Sequence, residues 1–533
     1  MRAAASRWPY LPLAIAGVYL IVLLAHLRAI VDTMAQSADV VVAHQLAELI
    51  SSHSGAIVLG DSAWYSTLLF ELATRRLPFY RPLWDLAPFI ATAISFLAIA
   101  WSAWRVAGRW AGAMTLSLLV CAGASLLTQY GALDNHVLTW TSDSLLIAGL
   151  VWVLYPSAPR RRSRWLPLAI ALGLLVALNL ASDRLLYAGG IAPVVVASLV
   201  AWRRSPGART REGVLYALAT SAVAIAGALL VVHFMRQHQI GPNPGFVITF
   251  AHAGALSGNF SLWWQSLALL GGDFSAKSIT LAPIVYLCAS GLTLAAILLI
   301  PRLAQLELRG ASASRVPGGG RASSSGEQPR VPARDAFVAA WATSALLVSA
   351  AFVLSSTPVG LGTIRYLVGV PLAAAALVPL LARRRETVAL VVAAASIYCV
   401  SGVLSIARGE ASQPSGVTQQ EVNTFVRLAA ATRAGHGYTG YWDASPITWK
   451  SRFRVLAYPA RQCGAGICRF ALGYDSSWYK PSGSTRSFLI TDTAQPYMPS
   501  APTTLGPPAA SYRVDSKYTF LVYDYDIASK IQP

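Results

Sequence analysis

Apolar runs of about 18 or more residues recur along most of this chain, long enough for each to cross the hydrocarbon of a bilayer as a helix. That feature decides the class. About eleven such spans are expected, at residues 10–27, 86–104, 111–127, 137–154, 165–180, 185–202, 214–233, 279–300, 336–354, 366–381 and 388–406. Only the stretch ASDRLLY separates the fifth from the sixth. With 55% hydrophobic and 12% charged residues, the composition lies outside the range of soluble domains. The fold class expected is a polytopic α-helical membrane protein. The first run resembles a signal peptide in charge and apolarity, but it is longer than an h-region and no small-x-small site follows. It is expected to be a retained span.

The formal charge is +19. Its distribution argues against nucleic acid, because no basic stripe of the kind such partners need is present. The arginines instead fall in alternate loops: Arg105 and Arg109, the cluster at 160–164, Arg203, Arg204, Arg209 and Arg211, the segment 302–334, and the triplet 383–385. Placing all of them in the cytoplasm puts the N-terminus inside. An odd number of spans then sends the C-terminus outside. Residues 301–335, rich in Gly, Ser and Pro, read as a flexible cytoplasmic linker.

Past residue 406 the composition changes. TQQEVNTFVRLAAATRAG has helical periodicity, and short β-rich runs follow between Gly, Pro and Ser turns. The expected organisation is a transmembrane domain over 1–408, with an outer loop over 29–85, and a small extracytoplasmic α/β domain over 409–533. Cys463 and Cys468 lie in that last region. Their spacing suits half of a metal site, yet no second pair completes it; a local disulfide in an oxidising compartment is the preferred reading. Cys121, Cys288 and Cys399 fall in apolar runs and read as small hydrophobes.

Candidate functional residues gather on the expected outer side. The stretch SADVVVAHQLAELI reads as a helix with Asp39 near its N-terminus, where the dipole favours a negative charge. Val42, Leu46, Leu49 and Ile50 give it an apolar face suited to lying along a membrane surface. Asp39 is either a helix cap or a working acid, with Asp32 and Asp61 as alternatives. A second helix carries Trp64 and Tyr65 and then Arg75 and Arg76, a combination suited to headgroups. Asp134, Asn135 and His136 sit at the mouth of a span, where an acid is costly unless it pairs, caps or works. Asp183 and Arg184 form either a local pair or part of a substrate site. Arg365, at the outer end of another span, snorkels or holds a lipid phosphate. Trp263 and Trp264 suggest an interfacial helix, and Asn259 opens an Asn-x-Ser sequon. Tyr441, Trp442, Trp449, Trp478 and Tyr479 are candidates for stacking on sugar rings, with the core of a small domain as the alternative.

The order of these parts resembles the GT-C class of polyprenyl-phosphate-sugar glycosyltransferases, which includes the protein mannosyltransferase, aminoarabinose transferase and arabinofuranosyltransferase families. The stretches concerned are ADVVVAHQLAEL after the first span, WYSTLLFELATRRL before the second, WRVAGRW after it, LDNHVLTWTSDSLLIAGL at the fourth and IRYLVGVPL at the tenth. The family's Asp-Glu pair is absent, since Val40 follows Asp39, and its Pro-Pro-Leu-Tyr-like element is replaced by SAWYSTLL. The resemblance implies an inverting glycosyltransferase with a polyprenyl-phosphate-linked sugar donor and a glycan, lipid or protein acceptor. It implies Asp39 as general base and Asp134 as a second acid. Arg184 and Arg365 would neutralise phosphate, while Asp134 or His136 would orient the acceptor or bind a divalent metal. One carboxylate and one histidine do not specify a metal site. Two other classes remain: a lipid-linked sugar transporter or flippase, expected to carry ionisable groups near the midplane, and a non-catalytic envelope assembly subunit with an external binding domain.

Overall fold

A computed structural model describes residues 10–34, 38–49, 55–59, 64–131, 136–155, 165–242, 249–271, 331–356, 358, 361–381, 385–412 and 416–532. The expected span at 279–300, the cluster at 160–164, Cys288 and most of the linker lie outside these residues. The chain divides into two units. One comprises 1–27, 86–231 and 248–411; the other comprises 28–85, 232–247 and 412–533.

Every expected span within the described residues coincides with helical structure, but its form varies. Seven described helices are long and apolar enough to cross a membrane, or eight if one bent pair counts as a single span. That is fewer than the eleven expected, and the local chemistry accounts for part of the difference. The third span breaks into Arg109–Val120 and Ala124–Tyr130, bent by 94°, where Gly123 adopts an extended backbone. The fourth is the short helix Leu138–Leu154. The sixth begins as a π-helical turn, Tyr187–Ile191, before Ala192–Arg204. The tenth, which is among the seven, begins as a 3-10 helix, Leu361–Leu367, before Gly369–Leu381.

Along the regular spans, many large apolar side chains are left uncovered; Ile21 and Leu230 are each 70% exposed. A lipid-facing surface accounts for such exposure, whereas soluble monomers keep exposed apolar patches small. The long helix Val331–Leu354 packs along Ala192–Arg204. There Arg204 Nη1 meets the buried Asp335 carboxylate at 2.9 Å. Since that helix starts at Val331, the last residues of the expected linker are helical.

The second unit gathers the outer loop with the C-terminal region, so residues 29–85, read from the sequence as part of the transmembrane domain, group elsewhere. Its described strands are β1 Ile57–Leu59, β2 Ile240–Pro242, β3 His436–Thr439, β4 Leu456–Cys463, β5 Gly466–Arg469, β6 Tyr474–Asp475, β7 Ser487–Asp492, β8 Ala510–Arg513, β9 Tyr518–Tyr523 and β10 Ile531–Gln532. Seven of them form one mixed sheet in the order β10-β5-β4-β3-β7-β9-β8. β3 runs parallel to β4 and β7, while β4–β5, β7–β9 and β8–β9 are antiparallel. The remaining three strands form a small sheet in the order β2-β1-β6.

Helix Gln419–Thr432 opens on a capping box in which Thr418 Oγ1 accepts the Glu421 N–H and the Glu421 side chain accepts the Thr418 N–H. It buries Val422 and Phe425 against Phe488, Ile490, Tyr518 and Phe520. A second core holds Tyr438, Leu489, Leu521, Tyr523 and Ile527. Cys463 and Cys468 form a disulfide, the preferred of the two readings.

Asp443 is buried in this unit, and its Oδ1 accepts a hydrogen bond from the Tyr518 hydroxyl at 2.8 Å. Burial, and then the negative charge of Asp492, push its carboxyl up to about 7. The unfolded chain releases the corresponding proton near pH 4. The folded state therefore holds a proton that the unfolded state has lost, and stability falls as pH rises from about 4 to about 7. Asp515 and Asp526, held below the usual carboxylate range, act below that window. Thermal unfolding of the purified full chain should show the transition of this unit dropping between pH 5 and pH 8, and Asp443→Asn should flatten the drop. A transition that rises over the same interval would contradict the assignment.

Candidate active site

Asp39 occupies the first turn of helix Ala38–Leu49. The sequence suggested a helix resting on a membrane surface, but the structure buries it in protein: Ala38, Val41, Val42, His44, Gln45, Leu46 and Ala47 are all inaccessible. Its covering is the helix Tyr441–Lys450 of the C-terminal region, together with Trp64–Thr74. Three polar or aromatic contacts fix the docking. The Tyr441 hydroxyl donates to Asp39 Oδ1 at 2.5 Å. Gln45 Nε2 donates to the Ala457 carbonyl at 3.0 Å. His44 stacks on Trp449, with ring centroids 4.1 Å apart. Tyr441 is itself held by Phe470, stacked at 4.4 Å. Asp39 is thus half-buried and oriented by a phenol from a segment some 400 residues away.

The same helix carries a pair that the sequence did not single out. His44 Nδ1 lies 2.9 Å from Glu71 Oε2, and both side chains are buried. Trp84 meets the His44 ring edge-on at 4.4 Å. Nothing in the spacing of 27 residues betrays this pair; only the apposition of two helices makes it. Arg75, expected at the headgroups, donates instead from Nη1 to the Ala47 carbonyl at 2.5 Å. Tyr65 is buried, and its hydroxyl donates to the Ile240 carbonyl at 3.5 Å. Trp64 lies in the first turn of helix Trp64–Thr74.

The proposed sugar-stacking aromatics pack in or against the cores of the second unit, Trp442 and Tyr479 only partly buried. Trp478 stacks on Tyr458 at 4.9 Å, Tyr479 on Tyr438 at 6.2 Å, and Trp442 packs edge-on against Tyr441 at 5.1 Å. Each ring is taken by another ring of the same unit, which satisfies the alternative reading.

A second constellation lies in the membrane unit. Asp134 and Asn135 fall outside the described residues. His136 is buried in a left-handed backbone, φ 66°. Its Nδ1 donates to Asp183 Oδ2 at 2.5 Å. Asp183 also accepts from the Thr139 hydroxyl, and from the Leu185 N–H at 2.9 Å; Asn179 supports Thr139 at 3.1 Å. Of the two readings of Asp183 and Arg184, the local pair does not form. Asp183 bonds to histidine, while Arg184 is exposed. The position of Asp183, just past helix Trp165–Ser182, turns its carboxylate back toward the first turn of Leu138–Leu154, where Thr139 sits.

The Tyr366 ring lies 4.9 Å from His136, and the Arg365 guanidinium is 5.6 Å from the Tyr366 ring centroid. The IRYL stretch thus sits at the histidine. Asp143, on the same helix as Thr139, is buried against Gly189 and Gly190 of the π-helical turn. A Cβ at either glycine would collide with its carboxylate. Its position mid-helix, in TWTSDSLLI, was legible as an acid within an apolar run, a placement that commonly marks function.

Asn259 is buried and donates to the carbonyls of Val353 and Ser355, so the sequon asparagine is committed inside the unit. Trp263 and Trp264 do lie on a helix, Ala253–Gly271. Among the described residues, no group of three or more His, Cys, Asp or Glu side chains is placed to hold a metal ion.

Removing one partner of a buried hydrogen bond leaves the other unsatisfied. Glu71→Ala should therefore destabilise the second unit by about 1–3 kcal/mol. Glu71→Gln, which keeps a hydrogen-bond acceptor for His44, should cost less. Thermal unfolding of the three proteins tests this, and equal stability of Glu71→Ala and the parent would contradict it.

No protein-family model matches the sequence, and no curated protein matches it. Solved structures do match in fold. ArnT from Cupriavidus metallidurans in the apo state superposes with a TM-score of 0.56 at 12% identity, covering 99% of this chain and 100% of that one. ArnT from the same organism bound to undecaprenyl phosphate gives 0.52 at 13% identity, covering 96% and 97%. This chain is an integral membrane protein with the fold of ArnT, an aminoarabinose transferase of the GT-C glycosyltransferase class.

Proposed function

We propose that this protein is a membrane glycosyltransferase. It moves a sugar from a polyprenyl-phosphate donor to a glycan, lipid or protein acceptor outside the cytoplasm, with inversion at the anomeric carbon. The observation that carries the reading is the likeness in fold, over nearly the whole chain, to ArnT, one structure of which is bound to undecaprenyl phosphate. The protein lies in the plasma (inner) membrane with its N-terminus in the cytoplasm and the 409–533 domain outside. The alternate arginine clusters support this orientation. So does the Cys463–Cys468 disulfide, which belongs in an oxidising compartment.

In this reaction the acceptor oxygen attacks the anomeric carbon. The bond from that carbon to the phosphate oxygen breaks, and its electron pair leaves with the lipid phosphate. The hydroxyl proton passes to a general base, for which Asp39 is the candidate. Its bond from Tyr441 supports the role by fixing where the carboxylate points. Asp134 is the second candidate acid. The phosphate is already a good leaving group, so positioning and charge neutralisation carry most of the catalysis. Arg365 and the exposed Arg184 are candidates for the neutralisation, because guanidinium engages phosphate through two parallel bonds. Asn135, Trp64 and Tyr65 remain candidates for holding substrate.

Asp39→Asn keeps the size of the side chain and removes its basicity. In membranes supplied with a lipid-phosphate sugar donor, transfer should fall by about 100-fold or more, in line with general-base catalysis. Asp134→Asn is the parallel test for the second acid. Full transfer by Asp39→Asn at normal expression would remove Asp39 from the mechanism.

A further inference from the structure

The buried Asp183 carboxylate receives hydrogen bonds from His136 Nδ1, the Thr139 hydroxyl and the Leu185 N–H. All three donate to it, as an ionised acid requires. A buried anion without a cation is expensive. Among the described residues, the one cationic partner in ion-pair contact with Asp183 is His136. An imidazolium at His136 would supply that cation, and it would carry a second N–H at Nε2. That Nε2 is buried and has no hydrogen-bond partner among the described residues. The backbone of His136 is also held in the left-handed region. An orphaned buried donor and a strained non-glycine backbone each cost free energy. Their coincidence on one residue marks a position that the described residues leave incomplete.

The surroundings indicate what that is. Among the described residues, the charged and titratable groups around the ring are Asp183 behind Nδ1, Asp143 farther along the Leu138–Leu154 helix, and Tyr366 with its neighbour Arg365 on the 3-10 helix. Asp183 is already committed to Nδ1, so Nε2 presents a positive donor, with a guanidinium one residue beyond the adjoining ring. Such a pair of cations suits an anionic oxygen. We propose that His136, charged and anchored by Asp183, donates its Nε2–H to a phosphate oxygen of the lipid-linked substrate. This rests on the glycosyltransfer reading and deepens it. When the bond between the anomeric carbon and the phosphate oxygen breaks, the phosphate gains the electron pair, and the Nε2–H bond to it strengthens. Asp183 is a positioning residue that keeps the imidazole charged and its Nδ1 occupied.

The experiment compares two lipids on the purified full chain in nanodiscs: undecaprenyl phosphate and undecaprenol, which lacks the phosphate. The parent should bind the phosphate more tightly than the alcohol. His136→Gln should weaken binding of the phosphate about tenfold, as loss of a charge-assisted hydrogen bond predicts, and leave binding of undecaprenol unchanged. Asp183→Asn should show the same selective loss, and serves if His136→Gln fails to fold. If both lipids weaken equally, or if phosphate binding survives both substitutions, the role given to His136 is overturned while the glycosyltransfer reading stands. If the parent itself shows no preference for the phosphate, the glycosyltransfer reading falls, and this inference with it.

Discussion

An acid taken out of water must find a partner, and that requirement organises both units. In the membrane unit, Asp183 is held by His136, and Asp335 by Arg204. In the second unit, Glu71 is held by His44, while Asp443 shares its surroundings with Tyr518 and Asp492. Each of these contacts joins elements distant in sequence. A buried charge tolerates little displacement of its partner, so these pairs fix helix positions more tightly than apolar packing alone. The residues that best suit chemistry are also the ones that tie the elements together.

The two constellations use this constraint differently. Around Asp39 the restraint comes from a neutral phenol and an aromatic stack, which orient a carboxylate that stays half-exposed. Around His136 the restraint is a hydrogen bond to a buried carboxylate, and it leaves one ring nitrogen without a partner among the described residues. The first arrangement suits a group that must exchange a proton with a hydroxyl. The second suits a group that must hold a fixed orientation.

Hydrophobic run length identified helical spans because the bilayer imposes one length on all of them. Run length says nothing of continuity, so the break at Gly123 and the π-helical start at Tyr187–Ile191 were hidden. The helix holding Asp39 was legible in its period, but its environment was not. Apolar residues along a helix describe a face equally well whether lipid or protein covers it, and here the cover is Tyr441–Lys450. His136 stood out as a polar residue at the mouth of a span. Its partnership with Asp183 was not legible, since nothing in the sequence signals a reach across 47 residues. The His44–Glu71 pair left no trace at all, because neither residue breaks the pattern of its helix.

The docking of Ala38–Leu49 onto the C-terminal region bears on how this molecule can be divided. Severed near residue 412, the soluble-looking tail would lose the helix that packs on Tyr441–Lys450, and Ala38 would be parted from Tyr441 and Phe470. The C-terminal region is thus no detachable accessory: an expression strategy or a chimera that treats it as one would separate a carboxylate from the phenol that aims it.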